Sequence, residues 1–192
     1  VSLYNGTTDP LTNVSIYIPI PQKGENISPY SDYFQVEEHG FDMSANVTSL
    51  PEGWTVRYGT VAAETEGNLF RYDNPPVLEH ASGTYASGHN MIRLTYTSSG
   101  GTFAAGETAR FLISYGATSE SAQSDSSNLF RPMVVYQSGG SWNAPDTLPW
   151  LWAGLQSGVI DGTVYVDVDR NGTYDAGTDT PVRNAIVTAQ VE

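Results

Sequence analysis

The chain has 192 residues, 39% of them hydrophobic, and its 21 acidic against eight basic side chains give a formal charge of −13. That length buries one sizeable core, or one core with a small appendage, and the apolar content is too high for a disordered chain. The charge repels nucleic acid and anionic membranes, no apolar run approaches the ~18 residues of a membrane span, and the absence of cysteine excludes disulfides, thiolate metal sites and a cysteine nucleophile.

In chain order, apolar residues recur mostly at every second position. Val14, Ile16, Ile18 and Ile20 alternate with Asn13, Ser15 and Tyr17 until Pro21 stops the run. This predicts a strand with the first set turned inward and the second toward solvent. Residues 21–32 are rich in Gly, Glu, Ser, Asn and Pro and resist a strand reading. Trp54, Val56 and Tyr58 alternate with Thr55 and Arg57 in a second strand. Residues 62–90, which include Asn74-Pro75-Pro76, are long for a loop in a compact domain; the stretch reads as a functional excursion or as cover for short strands.

Ile92, Leu94 and Tyr96 alternate with Arg93 and Thr95, and Phe111, Ile113 and Tyr115 with Leu112 and Ser114. Ala117 to Asn128 reads as a polar, exposed connection, and Met133 to Tyr136 as another strand. Runs of this kind, separated by turns such as Ser98-Ser-Gly-Gly101 and Ser138-Gly-Gly-Ser141, predict half-buried antiparallel strands stacked as a sandwich. Leu148, Leu151, Trp152 and Leu155, with Pro149 at a first helical position, fit one or two helical turns or equally a strand. A boundary is expected near 156–158, giving a 1–156 sandwich domain and a 157–192 tail. In the tail, Gly162 to Asp167 and Ala185 to Val191 read as strands. The tail is shorter than the ~40 residues a unit needs to fold without metal, disulfides or partners. It reads as the start of a module, and the two ends of the chain as cuts in a longer polypeptide.

Between those two strands lies Asp167-Val-Asp169-Arg-Asn171-Gly172-Thr173-Tyr-Asp175, three carboxylates and a carboxamide placed around a glycine. Hard cations such as Ca²⁺ take six to eight oxygens, and a tight loop with donors at positions 1, 3, 5, 7 and 9 supplies them from one segment. Strand flanks exclude an EF-hand, whose loop joins two helices. A bare Asn-Gly hairpin turn is the alternative, but it gives no reason to hold Asp167, Asp169 and Asp175 together against their repulsion. The proposed ligands are the side chains of Asp167, Asp169 and Asn171, the Thr173 carbonyl, and Asp175 directly or through water. Position 12 of such a loop takes a further carboxylate; here it is Thr178, and Asp179, one residue later, is the expected substitute. A shorter carboxylate at a shifted position predicts weaker binding, in the ~10⁻⁴–10⁻³ M range of extracellular calcium modules.

Gly162 to Gly177, followed by Pro181-Val-Arg-Asn-Ala-Ile-Val-Thr188, resembles the start of the serine–aspartate-repeat B-type module, which is similar to the collagen-adhesin B domains. The resemblance implies a prealbumin-like β-sandwich that binds calcium in the stalks of bacterial surface proteins. It implies calcium ligands at Asp167, Asp169, Asn171, Thr173, Asp175 and, by a one-residue insertion, Asp179. Leu3-Tyr-Asn5, Leu11 to Pro21 and Leu50-Pro-Glu-Gly-Trp54 resemble the immunoglobulin-like repeat of bacterial and archaeal envelope proteins, whose role is structural.

The remaining constellations are less specific. His39, His80 and His89 are scattered, without metal-ligand spacing. Glu37-Glu38 and the Glu64/Glu66 pair read as solvated charge, because paired carboxylates arise by chance in so acidic a chain. Lys23, the only lysine, sits in a turn and is poorly placed for an isopeptide crosslink. Trp142, Trp150 and Trp152 with Tyr136 form an aromatic cluster along the sequence. It suits either sugar stacking or packing beside the domain boundary.

The sequence therefore predicts an all-β chain, an Ig-like antiparallel β-sandwich followed by a partial prealbumin-like module. The function expected is non-enzymatic: a stalk or adhesive unit of a secreted, cell-surface or cell-wall bacterial protein, stiffened by Ca²⁺. Its expected partners are neighbouring domains of a longer polypeptide and a glycan or protein ligand, with no nucleic acid and no membrane span. The alternative is a carbohydrate-binding accessory domain of an exported multidomain enzyme.

Overall fold

The computed structural model describes residues 1–25, 27, 35–98, 100–118, 127–145, 151–154, 165–171 and 173–182, with side chains described for all of these except 35–39 and 152–154. The chain is all-β: among the described residues there is no helix, and every strand pairing is antiparallel. It divides into two compact units, Val1–Gln156 and Ser157–Glu192.

In the first unit the largest sheet is built around β2 (Leu11–Pro19), which lies between β7 (Met91–Tyr96) and β12 (Met133–Ser138). Outside β7 follow β5 (Trp54–Thr60) and β6 (Glu79–Ser82); outside β12 lies β13 (Ser141–Asn143), and β8 (Thr102–Phe103) pairs with the start of β2. Three smaller ladders accompany it. They are β1 (Ser2–Tyr4) with β9 (Thr108–Arg110), β4 (Met43–Ser49) with β10 (Leu112–Ala117), and β14 (Leu151–Gly154) with β11 (Ser127–Arg131) and β3 (Gln35–His39).

The register explains the core. Val134, Ile16, Leu94 and Val56 stand opposite one another across four strands, and Ile18, Ile92 and Tyr58 form the next row on the same face. Met43 and Ala45 of β4, Ala109 of β9 and Phe130 of β11 join the same buried cluster, so the smaller ladders close over the large sheet as a sandwich. Each apolar side chain fully withdrawn from water contributes roughly 1.5–3 kcal/mol. Trp54 anchors one end, with its ring edge-on to Phe111 at 4.8 Å, Tyr96 at 5.4 Å and Phe103 at 5.8 Å. Leu112 and Ser114 are exposed while Phe111 is buried, as the alternation predicts.

Several expectations need correction. Tyr17, predicted to face solvent, is only 4% exposed. It shares a row with Met133 and Arg93 on the other face of the sheet. Burial raises the pKa of its hydroxyl, and the Arg93 guanidinium beside it draws the value back. The 62–90 stretch contains β6 and two tight bridges, Thr65 with Asn68 and Arg71 with Asn74. It escapes the period-2 pattern because β6, Glu79-His-Ala-Ser82, is polar and largely exposed. Gly59 lets β6 approach: a Cβ there would come within 2.7 Å of the Glu79 carbonyl oxygen. The ambiguous 148–155 segment forms the strand β14 at 151–154. Residues 28–32, 119–126 and 185–191 lie outside the described residues.

Buried asparagines tie the loops to the strands. Asn128 is fully buried; its amide nitrogen donates to the Phe41 carbonyl at 2.9 Å and its oxygen accepts from Phe41 N–H at 3.5 Å. Asn90 treats Val61 in the same way, at 3.0 and 2.7 Å. In both cases a side-chain carboxamide substitutes for a peptide group and satisfies buried backbone that no strand reaches.

Candidate metal centre

The acidic loop is held at its base by β15 (Tyr165–Val166) and β16 (Thr180–Pro181), paired antiparallel with Tyr165 opposite Pro181 and Val166 opposite Thr180. One step further along that register, Asp167 falls opposite Asp179. This explains why Asp179, and not Thr178, closes the loop: the ladder brings it back to the first aspartate, whatever its count along the segment. Carboxylate oxygens of Asp167, Asp169 and Asp179 lie within 4.8 Å of one another. Two oxygens across one calcium ion are separated by about 4.6–5.2 Å, twice the Ca–O distance. The all-oxygen donor set suits a hard cation rather than a thiophilic metal.

Hydrogen bonds inside the loop set its shape. Asp179 is 6% exposed. Its Oδ1 accepts from Val168 N–H at 2.9 Å and its Oδ2 from Asp175 N–H at 2.8 Å. Thr178 and Asp179 N–H both donate to the Asp175 carbonyl, at 2.9 and 2.8 Å, turning the chain back into β16. Arg170 takes the left-handed conformation, with φ of 60°. Next to it Asn171 N–H reaches Asp167 Oδ1 and Asp169 Oδ1, each at 3.2 Å. The Asn171 amide nitrogen bridges two carboxylates, Asp169 at 3.0 Å and Asp175 at 2.6 Å, and Asn171 Oδ1 accepts from Thr173 N–H at 2.7 Å.

Of the six residues expected to bind metal, three aspartates converge. Asp175 is engaged by Asn171, and Thr173 contributes its N–H to the turn. Each carboxylate oxygen has two lone pairs, so Asp179 can brace the backbone and still present an oxygen inward. The bridging amide N–H₂ of Asn171 places partial positive charge where two carboxylates meet, a weak substitute for a cation. The pKa of Tyr165 is raised, first by partial desolvation and then by the carboxylates of Asp167, Asp179, Asp175 and Asp169. Its ring lies 5.2 Å from that of Tyr174.

Trp142, on β13, is 37% exposed and stands opposite Gln137, whereas Tyr136 stands opposite Asn143. Neighbouring positions on a strand face opposite ways, so Trp142 and Tyr136 do not share a face. Trp152 lies on β14 opposite Leu129, and Trp150 falls outside the described residues. Glu64 was expected to be solvated and is instead 4% exposed, with Oε1 accepting from Phe70 N–H at 2.6 Å. Phe70, six residues on in the same excursion, closes on it, a contact that carboxylate spacing does not encode. His89 is buried, its Nδ1 accepting from Ala86 N–H. Lys23 is exposed beside a turn closed by Glu25 N–H to Gln22 O.

No family model, no curated protein and no solved structure matches the chain.

Proposed function

We propose that the chain is a non-enzymatic stalk or adhesive unit of a secreted or cell-surface bacterial protein, in which Ca²⁺ held by residues 167–179 stiffens the C-terminal unit. The observation that supports this most is the convergence of Asp167, Asp169 and Asp179 within 4.8 Å on a strand-based loop. Asp167 and Asp169 would hold the ion with Asn171 Oδ1 and the Thr173 carbonyl, while Asp179 and Asp175 close the shell or orient it. The ion supplies charge neutralisation and a fixed loop geometry, so repulsion among the carboxylates no longer opposes folding. A sandwich braced by antiparallel strands and ending in a metal-dependent junction is suited to projecting neighbouring domains of a longer surface polypeptide.

Terbium luminescence sensitised by Tyr165 and Tyr174, competed with Ca²⁺ and with Mg²⁺, tests the site directly. Saturable terbium emission, displaced by Ca²⁺ at lower concentration than Mg²⁺ and lost in Asp167→Ala/Asp169→Ala, is expected. Emission that is no higher in the wild type than in the double variant overturns the reading.

A further inference from the structure

We propose that the β4–β10 ladder carries a groove for a neutral saccharide, on a face the sequence does not mark. Ser44 and Asn46 of β4, Ser114 and Gly116 of β10, and Thr84 and Tyr85 from the segment after β6 line a groove of about 450 Å³. Small-molecule sites occupy about 300–1,000 Å³. No side chain that lines it is charged, in a chain carrying −13 overall. A phosphate or a carboxylate therefore meets no countercharge there, and the Asp42 charge that acts on Tyr85 repels both.

What the groove does offer matches sugar chemistry. The Thr84 and Ser114 hydroxyls and the Asn46 carboxamide can each donate and accept, and the Ser44 hydroxyl, whose proton goes to Gly116, can accept, as a ring of hydroxyls requires. Asn46 and Ser114 stand opposite each other in the ladder, both exposed. Beside them are two half-buried tyrosines, Tyr85 and Tyr115, and the apolar surface of the Tyr85 ring suits the C–H face of a pyranose.

The site is also held in place. The Tyr85 hydroxyl donates to the Met43 carbonyl at 3.2 Å, and its ring packs edge-on to Tyr58 at 6.4 Å and His89 at 6.0 Å. Ser44 Oγ donates to the Gly116 carbonyl at 3.2 Å, and a Cβ at Gly116 would lie 3.1 Å from that hydroxyl, so a larger residue would crowd it. On the outer edge of β4, Val47 N–H donates to the Tyr58 hydroxyl at 2.7 Å. Ala45 lies between Met43 and Val47 in the two-residue alternation, so it directs its own N–H and C=O to that same edge. A shallow, open groove of this kind binds in the millimolar range, where repetition along a surface polymer supplies avidity.

The test is an amide chemical-shift titration of the isotope-labelled full chain with maltose, cellobiose, mannobiose and N,N′-diacetylchitobiose at up to tens of millimolar, with galacturonate as the charged control. At least one disaccharide is expected to shift the amides of 44–46, 84–85 and 114–116 saturably, and galacturonate to bind more weakly. Asn46→Ala, at an exposed position, should weaken the response about tenfold with the rest of the spectrum unchanged. Chelator should leave it intact, which separates this site from the calcium loop. The proposal is overturned if none of the four disaccharides shifts those amides saturably, or if Asn46→Ala binds as tightly as the wild type.

Discussion

The described parts of the two units cohere by opposite means. Residues 1–156 bury rows of Ile, Leu, Val and aromatic side chains between antiparallel ladders, and most of the buried polar side chains among their described residues are carboxamides already paired with backbone. Among the described residues of 157–192, the one buried side chain is a carboxylate, Asp179, while Val166, Val168 and Val182 are exposed. That described part, organised around an acid rather than an apolar cluster, gains little from the hydrophobic effect, and like charges at its centre oppose folding. The first unit should therefore be indifferent to divalent cations and the second governed by them.

The largest effect expected falls on the sandwich. Trp54→Ala removes the ring that meets Tyr96, Phe103 and Phe111 and should cost about 3–5 kcal/mol, read as a lower urea midpoint that is the same with Ca²⁺ and with chelator. A Ca²⁺-dependent deficit would break the contrast. Next, Asn128→Ala leaves the Phe41 N–H and C=O without their side-chain partner and should cost about 1–3 kcal/mol, again independent of metal.

In the second unit the ligand term is RT ln(1 + [Ca²⁺]/Kd), or about 1.4 kcal/mol at a tenfold excess over Kd. It should appear as slower proteolysis within 157–192 and slower amide exchange in 165–182. Both effects should vanish in Asp167→Ala/Asp169→Ala. Equal protection with Ca²⁺ and with chelator would remove the distinction between the units.

The smallest effect concerns pH within the sandwich. Burial raises the pKa of Glu25 above its ordinary value of 4.5, with the Asn90 hydrogen bond working against the shift and the nearby Asp42 charge adding to it. A carboxyl with a raised folded-state pKa favours folding while it is protonated. Its contribution is complete below the ordinary value and is lost as pH rises through the raised one. Glu25→Gln should match the wild type in acid and melt slightly higher near neutrality. The gain should stay under about 1 kcal/mol, because the carboxyl is only part-buried and solvent screens it. A variant less stable than wild type at neutral pH would show that the hydrogen bond to Asn90 outweighs the desolvation.

Much of the fold was legible because it is written at period two. The strands around Ile16, Val56, Leu94, Ile113 and Val134 all form, and the exposed Leu112 and Ser114 keep the phase their neighbours predict. β6 was illegible because a polar edge strand has no apolar stripe to display. The burial of Tyr17 and Glu64 was illegible because each depends on packing contributed from elsewhere in the chain. At the acidic loop, the residue types and spacing singled out an oxygen-rich site directly. The pairing of Asp167 with Asp179 needed the β15–β16 register, and Trp142 and Tyr136 take different faces because neighbours along a strand face opposite ways.

The sequence alone determined the strands that carry an apolar stripe, the inward phase of most of their residues, and where carboxylates cluster, because those properties are carried by neighbours within a few residues. Only the tertiary structure decided that β2 lies between β7 and β12, that Asn90 and Asn128 complete backbone pairing far from their own strands, and that Asn46, Tyr85 and Ser114 line one groove. Those outcomes depend on register between segments 30 to 120 residues apart. Such register is fixed by the joint burial of many side chains at once, and no local pattern records it.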